Sequence, residues 1–205
     1  PKGTMLDPGP AFYMEKFAAP AETRGKIDMN WSTEKKLETV ASLIEKDLKD
    51  LTVFVLDKPR HRGLVEEIHQ AGARVTLYPA GDVAGAIMAA IPDTEVDVLM
   101  GTGGTPEGII SACAIRAMGG EFQGRINPQL ATEIVSVRNA GFDTERWYER
   151  DELIGSDDVH FCATGITSGL LFRGVKLTKH HFKTETLIVT GASKEQVSLT
   201  NWHNR

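Results

Sequence analysis

An α/β fold, with a mostly parallel sheet and C-terminal hairpins, is predicted by three observations. Between residues 51 and 120, apolar runs alternate three times with segments of helical pattern, the order that builds right-handed βαβ crossovers. The first of these runs, LTVFVLD at 51–57, carries almost no polar residue, as expected of a strand buried on both faces. The final third changes to short β-rich runs broken by glycine, the signature of antiparallel hairpins.

Each element follows from local chemistry. Residues 1–31 are rich in Pro and Gly and hold little periodic structure; they read as a connecting segment from a missing N-terminal portion, with the α/β unit at 32–205. STEKKLETVASLIEKDLKD, 32–50, opens with Ser32 as an N-cap and sets Leu37, Val40, Leu43, Ile44 and Leu48 on one helical face. The strand at 51–57 follows. HRGLVEEIHQAG, 61–72, predicts a helix ended by Gly72, and RVTLY, 74–78, a second strand. GDVAGAIMAAI, 81–91, is a helix with Asp82 in its first turn, and VDVLMGT, 96–102, a third strand. PEGIISACAIRAMGG, 106–120, is a third helix, with Pro106 in its first turn and a glycine pair at its end. DVHFCATGITSG, LLFRGVKLTK and TETLIVTGAS supply the antiparallel strands of the tail.

Composition bounds the function. The chain has 205 residues, enough for one sizeable core. A net charge of −5 argues against nucleic acid or an anionic membrane as partner, since both need a basic footprint, but leaves room for a local basic pocket. No apolar run is long enough to span a bilayer, and PKGTMLDPGP lacks the charged start and apolar stretch of a signal peptide. Cys113 and Cys162 form no Cys-x-x-Cys motif and read as small buried hydrophobes of a reducing, cytoplasmic compartment.

Ligands of a parallel sheet bind beyond the C-terminal ends of its strands. Three loops lie there: DKPRH at 57–61, PAGDV at 79–83 and GTGGTPEG at 101–108. Lys58 and Arg60 suit a phosphate, one as a point charge and the other as a planar fork of donors, although a solvated surface loop also explains them. Asp82 is equally explained by the dipole of the helix it opens. His61 and His69 read as ordinary, partly exposed histidines. Glu107 is more informative. No Gly-Lys-Ser/Thr follows the glycines, and Pro106 stands where the third glycine of a dinucleotide fingerprint belongs. A bare carboxylate repels phosphate. Either Glu107 only complements the helix dipole, or it binds Mg²⁺ or Mn²⁺ that bridges to phosphate, with backbone N–H groups taking the remaining oxygens.

YMEKFAAP, VFVLDKPRH, GDVAGAI, DVLMGTGGTPEGIISACAIRAMGGEFQGR and CATGITSGLLFRGV resemble the class II fructose-1,6-bisphosphatases, whose relatives also act on sedoheptulose 1,7-bisphosphate. The resemblance runs from Tyr13 to Val175, and the block around Glu107 is its most specific part. It implies a layered α/β fold of the lithium-sensitive sugar-phosphatase type. It implies metal-dependent hydrolysis of the 1-phosphate of fructose 1,6-bisphosphate, a gluconeogenic step, with Mn²⁺ or Mg²⁺ as cofactor and a homo-oligomeric enzyme. By the same resemblance Glu107 is a catalytic metal ligand and Tyr13 contacts the substrate. Lys58, Pro59 and Arg60 hold phosphate, Gly81 and Asp82 meet sugar hydroxyls, and Gly104 approaches the ligand.

Two features depart from the family. Many members carry an aspartate two residues before Asp82, where this chain has Ala80, which puts one sugar contact and strict fructose preference in doubt. The family's paired metal carboxylates, in an Asp-Pro-Ile/Leu-Asp-Gly type motif, are missing; LDPG at 6–9 lacks the second aspartate. The chain therefore resembles the C-terminal part of such an enzyme. Its rivals are sedoheptulose-1,7-bisphosphatase or dual activity, and a non-catalytic sugar-phosphate-binding module.

Overall fold

The computed structural model describes all residues, 1–205. Its main sheet comprises β1 (Tyr13–Ala19), β2 (Thr52–Leu56), β3 (Arg74–Tyr78), β4 (Val98–Gly104), β5 (Glu121–Ile126) and β6 (Trp147–Glu149), in the order β3-β2-β4-β1-β5-β6. β2 pairs in parallel with β3 and β4. β1 pairs antiparallel with both β4 and β5, and β5 antiparallel with β6. The sheet is therefore mixed, with a parallel half at β3-β2-β4, rather than mostly parallel. The cause is β1, which lies before the βαβ alternation in the chain and inserts between β4 and β5.

β1 also corrects the reading of 1–31 as a segment of little regular structure. From Met14 to Ala19 every residue but Glu15 is buried. Glu15 and Lys16 interrupt the apolar run, and that interruption hides the strand in the sequence. Residues 13–19 pair with β4 and β5 and so belong to the main sheet.

The helices lie close to their predicted places. α1 (Thr33–Leu43) is capped by Ser32, whose hydroxyl accepts from the Lys35 N–H at 3.2 Å. It ends earlier than the pattern suggests, because Glu45 takes a left-handed φ of 54° and the Lys46 N–H turns back to Ala41 O. α2 (Arg62–Ala71) stops at Gly72 with φ 92°. α3 (Asp82–Ala90) and α4 (Thr105–Met118) follow β3 and β4, and α5 (Ala131–Asn139) and α6 (Arg150–Leu153) flank β6.

Side chains of β2 alternate between two cores. Val53 and Val55 pack with Phe17, Leu37, Val40, Ile68 and Val98 under α1 and α2. Phe54 and Leu56 pack with Met14, Ile87, Leu99, Ile115 and Phe122 under α3 and α4. A second, antiparallel sheet covers the far side of α4. It runs β10 (Glu195–Asn204), β9 (His181–Thr190), β7 (His160–Thr164), with the short β8 (Lys176–Leu177) also on β9. Phe161, Leu187 and Val189 join it to the core beneath α4. The hairpin tail is thus present, although LLFRGVKLTK yields only a two-residue strand. Cys162 is exposed on β7, contrary to its reading as a buried hydrophobe; Cys113 is half-buried on α4, where burial pushes its thiol pKa up. No helix is long and apolar enough to cross a membrane.

Candidate functional site

The C-terminal ends of β2, β4 and β5 and the start of β1 meet at one edge of the main sheet, because Tyr13 lies opposite Gly104 and Met14 opposite Ile126. The glycine-rich stretch at this edge is not a loop. β4 runs through Gly101 to Gly104, and α4 begins at Thr105. Glu107 stands in the first turn of α4, exposed. A Cβ on Gly104 would overlap its carboxylate, so Gly104 gives Glu107 the space to fold back over the strand end.

The stretch after β2 reaches the same place. Pro59–His61 form a single 3-10 turn after Lys58. His61 is buried, only 4% exposed, which corrects its reading as an ordinary, partly exposed residue; His69 is exposed as expected. The Thr102 N–H donates to His61 Nε2 at 2.8 Å, so that nitrogen is an acceptor and the ring proton sits on Nδ1, donating to Leu56 O at 2.6 Å. His61 thereby pins the end of β2 to β4 as a neutral imidazole. Burial holds its pKa below the usual histidine value. Gly101 makes room for the ring: its φ is 126° and an added Cβ would lie 3.0 Å from Nε2.

Arg60 is clamped beside it. Its Nε and Nη2 both donate to Thr102 O, at 3.0 and 2.7 Å, and its guanidinium lies 5.2 Å from the centre of the Tyr13 ring. Thr102 is held in turn by Asn127, whose Nδ2 donates to Thr102 Oγ1 at 2.9 Å. The backbone of Tyr13 is fixed by Glu133 of α5: one buried carboxylate oxygen accepts from the N–H groups of Phe12 and Tyr13 at 2.6 and 2.7 Å. Arg60 and Tyr13 thus form one stacked, preorganised pair. Lys58 is half-buried, with no ion-pair partner.

Asp82 opens α3, with Gly81 as the preceding N-cap residue at φ 97°. It is buried, not a surface dipole partner alone, and its Oδ2 is bound by the ammonium of Lys16. Lys16 was not among the sequence candidates, although YMEK was. Its signal is a lysine at an inward position of a strand followed by the apolar FAA. His61 reads in the sequence as an ordinary histidine, and Thr102, Asn127 and Glu133 were missed, because their partners lie far away in sequence. Tyr13, Lys58, Pro59, Arg60, Gly81, Asp82, Gly104 and Glu107 all fall at or next to this one edge.

Fit to a metal ion is partial. Glu107 is an exposed carboxylate with no ion-pair partner, Asp82 is spent on Lys16, and nowhere do three His, Cys, Asp or Glu side chains converge to hold a cation. The residues present fit one ligand of a divalent ion and not a whole coordination shell. Lys58 and His61 line a cleft of about 200 Å³, and Lys16 and Asp82 a small cavity of about 10 Å³, whereas a cleft of about 360 Å³ beside the end of β5, lined by Arg125, Asn127, Arg138 and Glu145, contains none of the candidate residues. A larger cleft, about 550 Å³, opens at the opposite end of the sheet beside Leu43, Ile44, Asp93 and Asp97. It lacks basic groups free for an anion, since Lys46 is paired to Asp97, so the chemistry rather than the volume locates the site.

Comparison with known proteins shows the family of the chain. A family model described as bacterial fructose-1,6-bisphosphatase, glpX-encoded, matches residues 1–203. The fructose-1,6-bisphosphatase class 2 of Haemophilus influenzae is 39% identical over 215 residues, covering 98% of this chain and 64% of that protein. The D-fructose 1,6-bisphosphatase class 2/sedoheptulose 1,7-bisphosphatase of Synechococcus elongatus is 39% identical over 198 residues, covering 90% of this chain and 57% of that protein. The chain spans 57–64% of the length of these relatives. With a family match along nearly its whole length, the chain belongs to the bacterial, glpX-encoded fructose-1,6-bisphosphatase family.

Proposed function

We propose that this chain is the sugar-phosphate-binding part of a layered sugar phosphatase that hydrolyses the 1-phosphate of fructose 1,6-bisphosphate. The observation that carries the reading is the meeting of Arg60 and Lys58, the Lys16–Asp82 pair and Glu107 at one sheet edge, in a member of this family. A bisphosphate needs such a division of labour. Lys58 and the rest of the Arg60 fork bind the distant phosphate, and Tyr13 packs beside them. Asp82 and the Gly81 backbone receive sugar hydroxyls. Glu107 stands at the reacting end, where it would hold Mn²⁺ or Mg²⁺. The ion supplies neutralisation of the phosphate charge against which water must approach. Binding energy from the far phosphate then orients the near one.

The remaining metal carboxylates come, in this proposal, from outside the chain, either covalently joined to it or on a separate polypeptide. Two cysteines without a disulfide suit a reducing compartment. The printed names of the Synechococcus relatives favour a second reading, dual action on the seven-carbon bisphosphate. Ala80 stands where many members of the family carry an aspartate.

The test is Glu107→Ala in the assembled enzyme, with phosphate release measured under Mn²⁺. Nearly all turnover should be lost while the fold is kept. Activity within about tenfold of the parent, roughly 1.4 kcal/mol of barrier, rejects Glu107 as a metal ligand.

A further inference from the structure

We infer that Lys16 is the positioning residue of the sugar end of the site, its ammonium holding Asp82 by Oδ2 so that Oδ1 is presented to a sugar hydroxyl. The inference rests on the functional reading above. Lys16 is 2% exposed and is among the largest fully buried side chains. It stands on β1, on the face covered by α3 and α4. Removing an ammonium from water costs several kcal/mol, and an apolar side chain of similar size usually serves a core as well or better. A purely structural role therefore gives no reason for lysine here.

The surroundings are shaped around it. A Cβ on Gly103 would lie 3.1 Å from Lys16 Nζ and would overlap Asp82 Oδ2. A Cβ on Gly108 would lie 3.0 Å from Lys16 Cε. The lysine thus runs through a slot left by two missing side chains, one on β4 and one on α4, to reach the start of α3. Its ammonium has a single acceptor, Asp82 Oδ2, and Oδ1 receives no donor from the chain. The Asp82 side chain keeps 12% exposure, consistent with a carboxylate fixed from behind and open at the front. Burial lowers the Lys16 pKa most strongly, the nearby charges of Asp82 and Glu107 oppose that shift, and Arg60 adds to it.

The test is a double-mutant cycle on Lys16→Met and Asp82→Asn in the assembled enzyme, assayed with fructose 1,6-bisphosphate and with p-nitrophenyl phosphate, which has no sugar hydroxyls. Each single variant is expected to raise KM for the bisphosphate about tenfold or more, and to change kcat/KM for p-nitrophenyl phosphate less than about threefold. The double variant should be no worse than Asp82→Asn alone, because the carboxylate that Lys16 positions is then already gone. It also leaves no unpaired buried charge, so it keeps the comparison intact if Lys16→Met alone folds poorly. Additive losses, equal loss on both substrates, or an unchanged KM in Lys16→Met each overturn the role. A parent that releases no phosphate from fructose 1,6-bisphosphate overturns the functional reading, and this role falls with it; an active parent with an indifferent Lys16→Met overturns this role alone.

Discussion

His61 shows how one side chain can set the geometry of a site without touching a ligand. Its two ring nitrogens join the end of β2 to β4, and both bonds require the neutral, Nδ1-protonated ring. Burial depresses its folded pKa below the unfolded value of about 6.5. A proton therefore binds the unfolded chain more tightly. The stability that His61 contributes is complete above about pH 6.5 and is lost as the pH falls below it toward the folded pKa. Thermal melts of the parent should drop between about pH 7 and pH 5.5, and His61→Gln should flatten that part of the profile; parallel curves for the two proteins would refute the assignment. Arg60 has a double role of its own. Two of its donors are spent on Thr102 O, which fixes the guanidinium over Tyr13 and leaves Nη1 for a phosphate. Arg60→Ala is expected to lower kcat/KM for fructose 1,6-bisphosphate far more than for p-nitrophenyl phosphate. It should also cost about 1 kcal/mol of stability from the lost carbonyl contacts, read by denaturant unfolding. Equal loss on the two substrates would place Arg60 at the reacting phosphate instead.

At the level of elements, close approach decides where the site residues stand. α3 lies tight against β2 because Gly85 faces Phe54; an added Cβ would sit 2.7 Å from the ring, which is itself stacked on Tyr78 at 5.1 Å. Gly85→Ala should therefore destabilise by about 1–3 kcal/mol, as overpacking does, and push the start of α3 with Asp82 away from Lys16. A melting temperature equal to the parent's would show that the ring can move aside. The sequence made α1 to α4 and β2 to β4 readable, because their caps and apolar periodicity are local. Ser32, Gly72 and Gly119 act as the caps that the pattern implies. β1 was not readable, since Glu15 and Lys16 break its apolar run and its partners lie more than 80 residues away. The same holds for the site. Arg60, Asp82 and Glu107 were visible as charges out of place near strand ends, whereas Lys16 and Asn127 gain meaning only from partners that the fold brings to them, Asp82 at the start of α3 and Thr102 on β4.

For the whole molecule, the count of carboxylates leads to the last expectation: residues 1–205 alone bind sugar phosphate but do not hydrolyse it. A hard divalent ion takes six or more oxygen ligands, and catalytic sites of this kind use several carboxylates. At the site edge Glu107 and Asp57 carry no ion-pair partner and Asp82 is neutralised by Lys16, and no three such side chains converge. Other acids are committed elsewhere: Glu133 to the backbone of Phe12 and Tyr13, Glu15 to Arg125, and Asp97 to Lys46 and the Thr52 N–H. Glu34, Glu38 and Glu45 are exposed on or just after α1, on the far face of the sheet. Carboxylates that do not converge bind Mn²⁺ too weakly to hold it at a reacting phosphate. The purified chain, free of host phosphatase, should therefore release no phosphate from fructose 1,6-bisphosphate, while calorimetry with the same sugar detects binding that Arg60→Ala weakens. Adding the carboxylate-bearing portion proposed above should restore Mn²⁺-dependent release. Turnover by residues 1–205 alone, abolished both by chelator and by Glu107→Ala, would mean that acids of this chain rearrange to complete the metal site. Failure of the chain to bind the sugar at all would instead remove the assignment of this sheet edge as its phosphate-binding half.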